Sequence, residues 1–176
     1  AYRLPGYNDA DFVAGVVLAD ALDSKRGDLY ALAAEGKALA SGFDASALPA
    51  AGFGYAHAAF PQGQDSAALV SEMKQVIARY LEQGFSEDLV EATKRREVAE
   101  AEFRRNSISG LAAEWSQALA VEGRNSIDDD IEAIKKVTAA DVNRVAKKYL
   151  LNDKAIVVIM TPHASGEAVA SQSSRS

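Results

Sequence analysis

Two helix signals joined by Gly84-Phe85, running from Asp65 to about Asn106, constrain this chain more than any other stretch. In the first, Leu69, Val70, Met73, Val76, Ile77, Tyr80 and Leu81 recur at the spacing that lines apolar side chains along one helix stripe. Such a stripe must cover a flat apolar surface. Asp65 is placed to cap the helix, Gly84 to stop it, and Ser86 to cap the next, whose acidic first turn Glu87-Asp88 suits the positive end of the helix dipole. Phe85 and Val90 occupy the two staple positions that fix the angle of chain entry. The stretch therefore predicts a tight helical hairpin around which the rest is arranged.

The flanking signals follow in order. Tyr2 to Pro5 predicts a short strand, turned at Pro5-Gly6, and Asn8 or Asp9 then caps a helix to about Leu22. A short helix is expected from Asp28 to Glu35, and a weak strand between Lys37 and Ser46. From Gly52 to Phe60, Phe53, Tyr55, His57 and Ala59 alternate with Gly54, Ala56, Ala58 and Phe60, the period of a strand with two unlike faces. After the hairpin, Ser107 restarts a helix carrying Ile108, Leu111, Ala112, Trp115 and Leu119. Ser126 with Asp129 and Thr138 with Asp141 are acidic variants of the capping box, each opening a further helix, and Val137 with Val142 repeats the staple. The run Ala155 to Met160 is β-branched and predicts a buried strand. Beyond it, residues 163–176 have the composition of a linker or tail. Strands grouped apart from helices imply an α+β fold, with an antiparallel or mixed sheet covered on one face, in a single domain over 1–162.

Chemistry is harder to find. With 48% hydrophobic and 25% charged residues the chain is of globular type, and a net charge of −6 argues against a surface built to neutralise phosphates, so nucleic acid is not an expected partner. The absence of cysteine excludes disulfides, thiolate metal sites and a cysteine nucleophile. No stretch has the length of a membrane span. His57 and His163 stand in no zinc-binding spacing; His57 reads as a half-buried structural residue and His163 as solvated. Asp128-Asp129-Asp130 with Glu132 lacks the ligand spacing of a calcium loop and sits in a helix first turn, where acids are favoured anyway. The charge run Lys94-Arg95-Arg96-Glu97 reads as a solvated helix face, with Glu91 to Arg95 and Glu100 to Arg104 as favourable i, i+4 pairs. No glycine cluster forms a phosphate loop and no Gly-x-Ser-x-Gly is present.

Taken together, an ordered set of segments resembles the second, zinc-free type of domain in the pitrilysin and insulinase family of metallopeptidases. The set comprises Tyr2-Arg-Leu-Pro-Gly6 followed by Asp11, Arg26-Gly-Asp-Leu-Tyr-Ala-Leu32, and Gly84-Phe-Ser-Glu-Asp-Leu89 with Lys94-Arg95. It continues through Gly123-x-x-Ser126 and Val137-Thr-Ala-Ala-Asp-Val142 to Lys148-Tyr149-Leu150 and the run before Thr161-Pro162.

The resemblance implies α+β domains forming a clamshell around a peptide chamber. Zinc and its His-x-x-Glu-His helix would belong to the first domain of a longer parent, with no cofactor and no catalytic residue here. Sibling domains or a homologous subunit, and a peptide substrate, are the implied partners, and the parent is expected to be bacterial and periplasmic or exported. In the half opposite the zinc, some family members carry an arginine and a tyrosine seven positions apart that polarise the substrate carbonyl. The matching positions here are Ala33 and Ala40, so that assistance is not expected. Leu29, Tyr30, Ala33 and Ala40 remain candidates for facing the chamber. Two other readings stand beside this one: a scaffold or assembly subunit of the same family without proteolysis, like its members in respiratory complexes, and an unrelated α+β binding module.

Overall fold

The computed structural model describes residues 1–161. The tail expected at 163–176, with His163, lies outside the described residues. The elements are β1 (Tyr2–Leu4), α1 (Phe12–Leu22), α2 (Asp28–Ala34), β2 (Ala40–Ala47), β3 (Gly52–Ala59), α3 (Ser66–Gln83) and α4 (Glu87–Arg104), then α5 (Ile108–Ser116), a π-helical turn (Gln117–Val121), α6 (Asp128–Lys136) and α7 (Ala139–Tyr149).

The three strands form one antiparallel sheet in the order β1-β3-β2, with Tyr2 opposite Gly54, Asp44 opposite Tyr55 and Gly42 opposite His57. Tyr2, Leu4 and Phe43 point into the core from the face that the helices cover. Gly54 makes that packing possible: a Cβ there would lie 2.7 Å from both the Phe43 ring and Leu4. No described element covers the other face. The fold is therefore α+β, as expected.

The expected organising centre is displaced. It is α1, and not the hairpin, that lies at the middle: Val17, Leu18, Ala21 and Leu22 are fully buried. This helix packs against β2, α4, α6 and α7. Its sequence is apolar nearly all round, which is the mark of a helix surrounded by protein. The α3-α4 hairpin forms as expected and walls this centre. Asp65 accepts hydrogen bonds from the backbone of Ala67 and Ala68, Ser86 accepts one from Leu89, and Phe85 and Val90 are buried. Gly84 turns the chain at φ 82°, a left-handed conformation that disfavours any side chain. The turn is bolted to α7 by Asn143, whose amide accepts from Phe85 N–H at 2.7 Å and donates to Phe85 C=O at 3.3 Å. Tyr80 stacks on Phe85 with ring centres 4.3 Å apart, and its hydroxyl accepts the first N–H of α2.

The start of α1 is tied to α7 by Asp11, which is buried and accepts from Lys148 at 2.6 Å and Arg144 at 2.5 Å. Those two hydrogen bonds, Lys148 first, hold the Asp11 carboxyl below its ordinary pKa. The box at Thr138 and Asp141 is complete. At α6 the box is rearranged: Asp129 accepts from Ser126 N–H, but the Ser126 hydroxyl accepts from Asp128.

Three expectations are corrected. Lys94 is not part of a solvated face; it is buried, donating to Glu91 at 2.6 Å and to the Val137 carbonyl at 2.8 Å, and so ties α4 to the α6-α7 turn. Arg96 turns inward to Asp20, and the pairings with Arg95 and Arg104 give way to Arg96–Glu100 and Arg104–Glu114. The run Ala155 to Met160 is neither a strand nor buried. Its only link to the sheet among the described residues is at Ile156, and Ile156, Val158 and Met160 are 69%, 76% and 86% exposed.

Candidate functional site

The face of the sheet left open by the helices is the part of the molecule best suited to meet another molecule. Alternation along β3 sends Gly54 and Ala56 toward the helices and Phe53, Tyr55 and His57 outward. The three rings form a ladder, with centres 6.4 Å apart between Phe53 and Tyr55 and 6.0 Å between Tyr55 and His57. His57 leans across β2 to place Nδ1 at 3.3 Å from an Asp44 carboxylate oxygen. Gly42 clears its path, since a Cβ at that position would sit 3.0 Å from the imidazole. The Asp44 charge, ahead of burial, raises the Tyr55 phenol above its ordinary pKa and keeps it a neutral hydrogen-bond donor. Arg3, opposite Phe53, adds a cation to the same face.

His57 was expected to be half-buried and structural. With 45% of its side chain exposed it is a surface group of this ladder. The alternation of Gly52 to Phe60 identified the two faces, but nothing local told which would be left uncovered.

Of the chamber-facing candidates, Ala40 is exposed at the start of β2 and belongs by alternation to the open face, with Gly42 and Asp44. Tyr30 is exposed and Ala33 partly exposed on α2. Leu29 is different: fully buried, it belongs to the core, because its turn of α2 sits on β2, where the Ser41 hydroxyl donates to its carbonyl. These four positions are thus not brought to one surface.

Beside the ladder, a cavity of about 450 Å³ separates β3 from the Ala155–Met160 run, floored by Leu69, Val70 and Met73 of α3. Its walls are largely apolar. A second cleft of about 620 Å³ lies along the outer edge of β2 and reaches Asp20 and Asp23 on α1 and the loop after it. Among the described residues no group of three or more His, Cys, Asp or Glu side chains is placed to hold a metal ion. His57 with Asp44 supplies two donors of the three that a catalytic zinc requires, so these residues do not fit that ion. No described helix is long and apolar enough to cross a membrane.

No family model and no curated protein matches the chain. Solved structures do. A protease from Helicobacter pylori superposes with a TM-score of 0.74 at 19% identity, over 85% of this chain and 37% of its own. The inactive peptidase domain of a candidate zinc protease from Bordetella parapertussis gives 0.73 at 21% identity, over 86% and 84%. A chain of complex III2 from Candida albicans gives 0.65 at 17% identity, over 85% and 38%. Likenesses at these identities establish the fold. The chain spans little more than a third of the Helicobacter protein's length.

Proposed function

We propose that this chain, whose fold is that of the domains of pitrilysin-type zinc proteases, serves as a noncatalytic domain of a zinc-dependent metalloendopeptidase. In this reading it forms part of the wall of a peptide-enclosing chamber and supports the domain that holds the zinc. The observation that carries the reading is the one-sided sheet: helices close one face, and the other presents Phe53, Tyr55 and His57 in a row beside Asp44. Aromatic rings and a single carboxylate give an extended peptide apolar contact and a hydrogen-bonding partner without fixing its sequence. Ala40 is proposed to extend that face on the chamber side, and Tyr30 and Ala33, exposed on α2, to meet the chamber apart from it. Alanines at 33 and 40 offer no group to polarise a carbonyl, which supports a supporting rather than a chemical role.

The test is zinc content together with cleavage of a quenched peptide library, measured in parallel on this chain and on the full-length parent. Zinc and cleavage in the parent alone are the expected outcome. Zinc or cleavage from this chain by itself would overturn the assignment. Neither activity in either protein would favour the second reading, a scaffold subunit, for which the likeness to a chain of complex III2 is the specific observation.

A further inference from the structure

The aromatic ladder on the open sheet face shares that face with a single negative charge. Alternation brings Arg3 from β1, Phe53, Tyr55 and His57 from β3, and Asp44 from β2 to this side, and the remaining strand positions there are Ala, Gly and Ser. Asp44 stands opposite Tyr55, with its side chain 59% exposed. A carboxylate offers about four lone-pair sites. Among the described residues its ion-pair contact is His57 Nδ1, at 3.3 Å on Oδ2, so Oδ1 stays open to a further cation. The rings favour the same sign of charge. Phe53 and Tyr55 lie within 19° of parallel, and the faces of such rings attract cations through their quadrupole.

Arg3 is the one cation of the set, and it is too distant to cancel this preference. It lies opposite Phe53 on the far side of β3, so two strand spacings and a two-residue offset hold its Cα roughly 12 Å from that of Asp44. The screening length at physiological salt is about 8 Å.

We propose that Asp44 and the ladder form a subsite for an arginine side chain of a bound peptide, the guanidinium pairing with Asp44 and stacking on Tyr55. A planar guanidinium makes a forked hydrogen bond and a ring contact at once, whereas a lysine ammonium is a hydrated point charge without a flat face to stack. The net charge of −6 draws in any cationic peptide from a distance; the subsite adds a local choice among them. This inference rests on the peptide-facing role proposed above and narrows it to a preference at one position, the rest of the peptide sequence staying unread.

The test titrates two capped heptapeptides into the isotope-labelled chain and follows its amide shifts. One peptide carries a central arginine among alanines, and the other carries citrulline, the neutral isostere, in its place. Saturating shifts are expected at Asp44, Tyr55 and His57, with the arginine peptide bound about fivefold or more tightly. Asp44→Asn should cut that ratio to about twofold, the share left to the rings, and Tyr55→Leu should lower it as well. Glu132→Gln, which makes the same change in net charge on the exposed side of α6, should leave the ratio as it was. Unshifted amides at Val145 and Leu150 in the core report an intact fold in each variant. Equal affinity for the two peptides would overturn the subsite, as would a ratio untouched by Asp44→Asn or lowered as far by Glu132→Gln. Neither zinc nor cleavage enters this measurement, so equal affinities leave the noncatalytic-domain reading standing. Absence of any shift on the open face with either peptide would overturn the peptide-facing role and the subsite together.

Discussion

At the scale of single residues, Asp20 is the group most at odds with its surroundings. One of its carboxylate oxygens is buried without a hydrogen-bond partner, and its nearest cation, Arg96, stands 3.8 Å from the other. Burial, then the charge of Glu97, and more weakly those of Glu100 and Asp23, push its pKa from 3.8 up to about 7, against the pull of Arg96. The folded state thus holds this proton more tightly than the unfolded chain does. Folding is then favoured least where the proton is lost from both states, so the Asp20 contribution to stability declines as pH rises from about 4 to about 7. Asp20→Asn removes the charge and keeps an acceptor for Arg96. Thermal unfolding across pH should show the variant melting about 3 °C or more above the parent at pH 8, with the difference vanishing near pH 4. A variant less stable at pH 8 would mean that the Arg96 pairing outweighs burial. None of this was legible in the sequence, where Asp20 is one acid on an apolar helix; its partners come from α4, more than seventy residues on.

Elements were legible to the extent that their determinants are local. Asp65, Ser86 and Thr138 cap the helices they precede because a cap needs only the next three N–H groups. Lys94 escaped because its acceptor, the Val137 carbonyl, is 43 residues away. The Ala155–Met160 run has strand composition, yet propensity reports how well side chains suit a pleated surface and not whether a neighbouring strand is there to pair with. Asn143 is another distant determinant, and it makes the α3-α4 turn depend on α7. Replacing it by alanine leaves both Phe85 backbone groups without their partner in a partly buried site, which should cost about 1–3 kcal/mol in equilibrium denaturation. Asn143→Asp, which can still accept from Phe85 N–H, should recover part of that loss. Equal losses from the two would place the contribution in the Asn143 N–H donated to Phe85 C=O.

At the scale of the whole molecule, apolar surface is distributed unevenly. The core is closed around α1, but α5 has no buried residue: Ile108 is 91% exposed, and Leu111, Trp115 and, just beyond, Leu119 are open as well. Their spacing is that of a core-facing stripe, so the periodicity was read correctly while the surface it should cover is not among the described residues. An uncovered stripe of this kind marks a surface that meets other protein, and in the chain alone it is a liability. The chain is expected to self-associate reversibly as its concentration rises, and sedimentation velocity will show this as a rising weight-average mass. Ile108→Lys with Trp115→Lys should suppress that rise. Because neither side chain is buried, the same double variant should shift the unfolding midpoint by no more than about 2 °C. A large fall in the midpoint would mean that α5 contributes to the fold and does not only border it, and a mass unaffected by the substitutions would move the associating surface elsewhere, to the apolar edge at Ile156 to Met160 first of all.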